Sequence, residues 1–202
     1  MILSIRRFVL LAVCLALLAG CERWNKSDHH DSSSASAPMH GSMMAAKTAV
    51  AHVMPSKAAT TQPSNNNVAG TVTFTDSDDG RMKVVADITG FEPNSQHGFH
   101  IHEKGDLSAA DLSSAGGHYN PDKHVHGGPA TSPVHAGDLG NITADASGNA
   151  HYEIEVTGIS IGGKNDIVGK SVIIHAKVDD LKSQPAGNAG GRVAGGVIEM
   201  SQ

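Results

Sequence analysis

VAGTVTFTDSDDGRMKVVADITG, residues 68–90, carries two apolar–polar alternations on either side of a short polar run. Before DSDDG, Val68, Val72 and Phe74 fall on one parity; after it, Met82, Val84, Ala86 and Ile88 do the same. Residues two apart share one face of a strand, so each run reads as a half-buried strand and the pair as a hairpin. The same texture extends outward in both directions. KTAVAHVM (47–54), HGFHIHE (97–103), AHYEIEV (150–156), SVIIHAK (171–177) and VAGGVIEM (193–200) are further short β-type runs, and DASGN (145–149) is a second turn. No stretch of ten or more residues shows a helical stripe. Short strands separated by turns predict an all-β antiparallel sandwich or barrel. Two insertions break the rhythm, at roughly 104–137 and 178–192. Loops of that length inside a compact domain are usually functional.

The chain has 202 residues, enough for one domain with a real core. Its formal charge of −5 provides no basic footprint, so nucleic acid is excluded as a partner. Thirteen histidines are the outlier in the composition, and metal binding is the leading explanation. The N-terminus, MILSIRRFVLLAVCLALLAGC, places Arg6 and Arg7 before the apolar run Phe8–Leu18. That run is too short to span a bilayer but suits an export signal. Leu18-Ala19-Gly20-Cys21 resembles a bacterial lipobox, which makes residues 1–20 a lipoprotein signal and Cys21 the lipidated first residue; the alternative is an ordinary cleaved signal with an incidental cysteine. An anchored protein of this kind faces the periplasm or the cell surface. Removing residues 1–20 takes away two arginines and leaves 13 basic against 20 acidic side chains, a charge of −7. Residues 21–45 are polar and serine-rich and read as a flexible tether. His29, His30, Met39, His40, Met43 and Met44 lie on it, a soft ligand set that suits copper, or else a linker of no special meaning. The folded domain is expected over residues 46–202. Cys14 and Cys21 are the two cysteines, so this domain has no thiol and no disulfide despite an exported address.

In GFHIH, His100 and His102 are two apart on an expected strand, with Cα atoms roughly 6.5–7 Å apart and both rings on one face. Two imidazoles so placed can converge on one ion, although one such pair is weak evidence. SAGGHYNPDKHVHGGPATSPVHAGDLGN, residues 114–141, adds His118, His124, His126, His135 and Asp138 on a glycine- and proline-rich loop, and SVIIHAKVDD adds His175 on a strand.

Taken in order, GFHIHEKGD, AGGHYNP, HGGP, HAGDLGN, IIHAKVDD and GNAGGRVAGGVI resemble a bacterial copper–zinc superoxide dismutase over about residues 46–202. Any one motif is unspecific; the series is highly specific. The resemblance implies a Greek-key antiparallel β-sandwich or barrel, immunoglobulin-like, with two long functional loops. It implies copper held by His100, His102, His118 and His175, and zinc held by His118, His126, His135 and Asp138. Three imidazoles and a carboxylate suit a closed, structural zinc site, and four imidazoles suit a tetragonal copper centre with a free axial position. His118 bridges the two. Asp179 is implied to hydrogen-bond His100 and His126 and to fix their tautomers. Arg192 is implied to guide the superoxide anion, a task made useful by the negative overall charge. His124 is expected to be a solvated loop residue, His97 a support beside the copper pair, and His52 and His151 bystanders.

The resemblance also exposes a departure. The family's intrasubunit disulfide falls at Leu112 and Gly195, neither of which is a cysteine. Its absence implies a fold that depends more on metal, since such a bond typically adds ~2–4 kcal/mol. The implied activity is conversion of superoxide to oxygen and hydrogen peroxide by copper redox cycling, with His118 and Arg192 catalytic. The alternative is a non-catalytic surface copper-binding or buffering protein on the same scaffold. Completeness of the copper ligands and of Arg192 favours the enzyme. A homodimer is the assembly that the resemblance leaves open.

Overall fold

The computed structural model describes residues 46–59, 67–77 and 79–202, so the export signal, the lipidation at Cys21 and the His/Met tether lie outside the described residues. Eight strands are present among them: β1 Thr48–Pro55, β2 Ala69–Asp76, β3 Met82–Thr89, β4 Gln96–His102, β5 Asp138–Thr143, β6 Ala150–Val156, β7 Ser171–His175 and β8 Arg192–Met200. All pairings are antiparallel. The order is β5-β4-β7-β8-β1-β2-β3-β6, and β8 joins the two halves by pairing with β7 at one side and β1 at the other. β5 packs against β6 at the open seam, so the sheet nearly closes into a Greek-key barrel, as expected.

The opening hairpin forms as read. β2 and β3 pair in unbroken register from Ala69↔Thr89 to Asp76↔Met82. Met82, Val84, Ala86 and Ile88 are buried, and the residues between them face outward. Phe74, Phe99, Ile101, Leu139, Ile142 and Ile198 meet them in the barrel interior. Each such side chain contributes roughly 1.5–3 kcal/mol on burial.

β4 behaves differently. From His97 onward every residue is buried, on both faces. Phe99 and Ile101 point into the barrel core, whereas His100 and His102 leave by the opposite face and are covered by the long loops. The loop is fastened to β4 by backbone bonds: Ile101 N–H donates to Gly137 O at 2.9 Å, and Tyr119 N–H donates to Ile101 O at 2.8 Å. Gly137 is required there, because an added Cβ would lie 2.3 Å from the Ile101 carbonyl oxygen.

Two expectations need correction. DLGNIT is not the tail of the loop but strand β5, which places Asp138 at a strand start rather than on the loop. Asp138 is buried and paired with His100 across the sheet, a partnership that alternation in a glycine-containing hexamer cannot signal. The connection 157–170 is a further long loop beyond the two insertions read from the sequence.

Candidate metal centre

Two groups of potential ligands form where the loops cover β4 and β7. His100, His102, His118 and His175 make one; His118, His126, His135 and Asp138 make the other. Every member is buried. His118 belongs to both, through opposite ring nitrogens.

In the second group the Asp138 carboxylate is the focus. Its Oδ1 lies 2.8 Å from His118 Nδ1, 3.0 Å from His126 Nδ1 and 3.2 Å from His135 Nδ1. His118 Nδ1 and His135 Nδ1 are 3.5 Å apart. Four ligand atoms spaced this way match a tetrahedron around zinc, whose edge is about 3.3 Å for bonds near 2.05 Å. Hydrogen bonds alone suit the arrangement poorly, since three ring nitrogens converge on one oxygen atom. The other carboxylate oxygen, Oδ2, accepts the Gly127 N–H at 3.0 Å and is held in place. The donor set therefore fits zinc.

In the first group the outer nitrogens are committed, and that fixes which atoms face inward. His102 Nδ1 donates to Gly116 O at 2.9 Å and His175 Nδ1 to Gly190 O at 3.2 Å. Their Nε2 atoms then face each other at 3.4 Å. His100 uses Nε2 on Asp179 Oδ2 at 2.8 Å, which leaves Nδ1. His100 Nδ1 and His118 Nε2 are buried ring nitrogens without a hydrogen-bond partner. Orphaned buried polar atoms are costly, and two from different elements pointing into one imidazole cluster mark an ion site. Four imidazole nitrogens suit copper.

Burial sets the protonation of this group. It pushes His102 down to about 2, with the nearby His118 and Arg192 adding to the shift, and pushes His175 down to about 3. Burial also lowers His100 to about 4, opposed by its bond to Asp179. These rings are therefore neutral at ordinary pH and have lone pairs to give. Burial would raise the Asp179 carboxyl, but hydrogen bonds from His100 and His126 outweigh it and hold the group well below its ordinary value.

Asp179 ties the two groups together. Oδ2 takes His100, while Oδ1 takes His126 Nε2 at 2.9 Å and the Leu181 N–H at 2.7 Å. Asn141 clamps its backbone on both sides, at 2.8 and 2.9 Å. Gly187 lies so close that a Cβ there would sit 1.7 Å from Asp179 Oδ1.

Arg192 stands at the first strand position of β8, half-buried beside the imidazoles. Its Nη1 donates to Leu112 O at 2.5 Å and its Nη2 to Gly116 O at 2.6 Å. Gly116 O thus serves both His102 and Arg192. Leu112 adopts φ 60° and ψ 17°, and its side chain is buried in a small separate cluster with Ala115 and Ile173. A Cβ on Gly195 would lie 3.2 Å from Leu112 Cδ1, so these two positions are in contact.

The remaining histidines fall outside both groups. His97 Nδ1 donates to His175 O and its Nε2 meets Ser95 Oγ, each at 2.8 Å, while the ring stacks on Phe91. His151 pairs with Asp87 at 2.7 Å on the exposed face, a cross-strand partner that the sequence reading missed. Also missed was Gln184, whose side-chain amide grips the backbone of His126 by both N–H and carbonyl, at 2.8 and 2.9 Å. Carbonyl partners such as Gly116 O and Gly190 O have no side-chain signature and so could not be read.

A profile of the family described as copper/zinc superoxide dismutase (SODC) matches residues 68–198. A protein named superoxide dismutase [Cu-Zn] from Yarrowia lipolytica (strain CLIB 122 / E 150) is 44% identical over 144 residues, 68% of this chain and 93% of that protein. A protein of the same name from Paramecium bursaria Chlorella virus 1 is 43% identical over 137 residues, 65% of this chain and 72% of its own. Among solved structures, the clock protein EA4 superposes with a TM-score of 0.67 at 37% identity, covering 81% of this chain and 100% of that one. Agreement on this scale, in sequence along most of the domain and in the barrel itself, leads to one conclusion: the chain belongs to the copper/zinc superoxide dismutase family.

Proposed function

We propose that His100, His102, His118 and His175 hold copper, that His118, His126, His135 and Asp138 hold zinc, and that Arg192 and His118 serve the reaction. The protein is a superoxide dismutase: two superoxide anions and two protons become oxygen and hydrogen peroxide. One observation carries the residue assignment. A single ring, His118, presents Nδ1 to one ligand group and Nε2 to the other.

Bound copper supplies the one-electron exchange that both half-reactions need, and zinc a fixed charge. The chain's own residues do the rest. Arg192 is a permanent cation with its two terminal nitrogens anchored to carbonyls, so it attracts a monovalent anion without swinging away. His118 Nε2 is the atom at which a proton can be held and released, while Nδ1 stays against Asp138 and keeps the ring oriented. Asp179 fixes His100 and His126 from behind. Covering loops exclude water from β4, where burial keeps the imidazoles neutral.

The finer reading is of a bacterial lipoprotein: signal 1–20, lipid on Cys21, tether 21–45 and enzyme domain 46–202, facing the periplasm or the cell surface. The lipobox-like Leu18–Cys21 and the apolar Phe8–Leu18 support it. The form lacks the intrasubunit disulfide, which the absence of cysteine from residues 22–202 supports. A homodimer is the assembly to test, by sedimentation. The functional experiment is superoxide decay with protein loaded with one copper and one zinc, against Arg192→Ala. Fast decay that is abolished by chelating copper and slowed by the variant is expected. Full occupancy without dismutation would leave a copper-binding protein.

A further inference from the structure

His124 lies outside both ligand groups, yet it is built like a member of the first. His102 and His175 each direct Nδ1 at a backbone carbonyl and so present Nε2. His124 does the same, with Nδ1 3.2 Å from Val134 O. A carbonyl oxygen only accepts, so Nδ1 carries the proton and, in the neutral ring, Nε2 keeps its lone pair. The backbone of His124 is pinned as well. Asn120 Nδ2 donates to His124 O, and Asn120 Oδ1 accepts the His124 N–H, both at 2.9 Å. An exposed histidine on a solvated loop needs neither constraint.

His124 lines an open pocket of about 130 Å³, together with Asp122, His135 and Asp138. His135 and Asp138 belong to the zinc group, so the pocket connects that group with solvent. Asp122 adds a negative charge on the same wall. Its paired cation, Lys164 Nζ, is 3.7 Å away on the surface, where such a pair is weak.

We propose that His124 is an entry ligand for zinc. Its Nε2 replaces one water on an incoming zinc ion at the pocket, then yields the ion to His135 and Asp138. No electron moves, and the bond to Nε2 breaks as the bonds to the inner ligands form. Imidazole nitrogen is a suitable zinc donor throughout. This proposal rests on the zinc assignment made above. It has a kinetic signature, because a ligand on the path is used in both directions. Removing it slows binding and release by the same factor and leaves the affinity unchanged. A residue that merely supports the site would instead speed release and weaken affinity.

The test uses the full chain stripped of metal. Zinc uptake is followed by stopped flow against a fluorescent zinc indicator, and release by challenge with excess chelator, in wild type, His124→Ala and Asn120→Ala. In His124→Ala both rates should fall by roughly tenfold, the lower end of what local capture provides, at unchanged affinity. Asn120→Ala, which keeps the imidazole but unpins it, should show a smaller change of the same kind. An unchanged association rate in His124→Ala, or weaker affinity arising from faster release alone, would overturn the proposal. Wild-type protein that binds no zinc would overturn both this proposal and the zinc assignment beneath it, a result distinct from normal binding with normal rates.

Discussion

The two ligand groups share one ring but are built from different material. Three members of the copper group, His100, His102 and His175, stand on strands β4 and β7 and are held by the barrel ladder. Three members of the zinc group, His118, His126 and His135, stand on the loop between β4 and β5. Strand residues are positioned by hydrogen bonds and core burial that form on folding, with or without an ion. The loop residues lie outside the ladder: the loop's ends are bonded to β4 at Tyr119 and Gly137, and between them it is held by scattered side-chain bonds such as those of Gln184 to His126. The contrast teaches a division of labour. On the proposed assignment, copper would find a largely preformed pocket, whereas zinc would complete the fold of the loop that covers it, with His118 linking the two groups.

The largest break in this contrast should come from Asp138→Asn. It removes the carboxylate charge on which three ring nitrogens converge. Zinc affinity should fall by more than about 100-fold, since even partners behind the ligands commonly cost 10–100-fold. Copper should still bind through His100, His102 and His175. Equilibrium dialysis of each metal measures both effects; equal losses would show that the groups are not separately built.

Acid should act next, and on the strand-built side. In the metal-free protein, burial lowers His100, His102 and His175 from 6.5 to about 4, 2 and 3. As pH falls below 6.5 the unfolded chain takes up protons that the folded chain refuses, so stability declines from there toward pH 4 and below. Asp179 has the same sign, because its lowered carboxyl favours the fold above its ordinary value and loses that contribution as pH falls. Thermal unfolding of metal-free protein between pH 7.5 and about 4 checks this, with a flat profile as the contrary result.

Leu112→Ala should give the smallest effect. The side chain fills a satellite cluster rather than the main core, so the cost should be about 2 kcal/mol, the low end for such truncations. Because Leu112 O anchors Arg192, superoxide removal by metal-loaded protein should also slow. Chemical unfolding together with a rate assay separates the two consequences.

Much of this was legible in the residues. Alternation in 68–90 and the later runs specified the barrel because a buried face must recur every second residue. His100 and His102 were legible by the same period. The full division into two groups came from the series of motifs, not from spacing, since loop residues carry no periodic signal. Asp138 was misplaced onto the loop because DLGNIT alternates poorly, and β5 exists through its pairing with β4. The clasp of Gln184 on His126 and the carbonyl anchors of Arg192 depend on the closed shape of two loops, which no local pattern encodes.

The most direct test of the central claim is amide hydrogen exchange of the metal-free protein before and after zinc alone is added. Zinc should strongly slow exchange across 118–137 and leave β4 and β7, already protected, almost unchanged. A loop equally protected without zinc, or strands that gain protection along with it, would contradict the account.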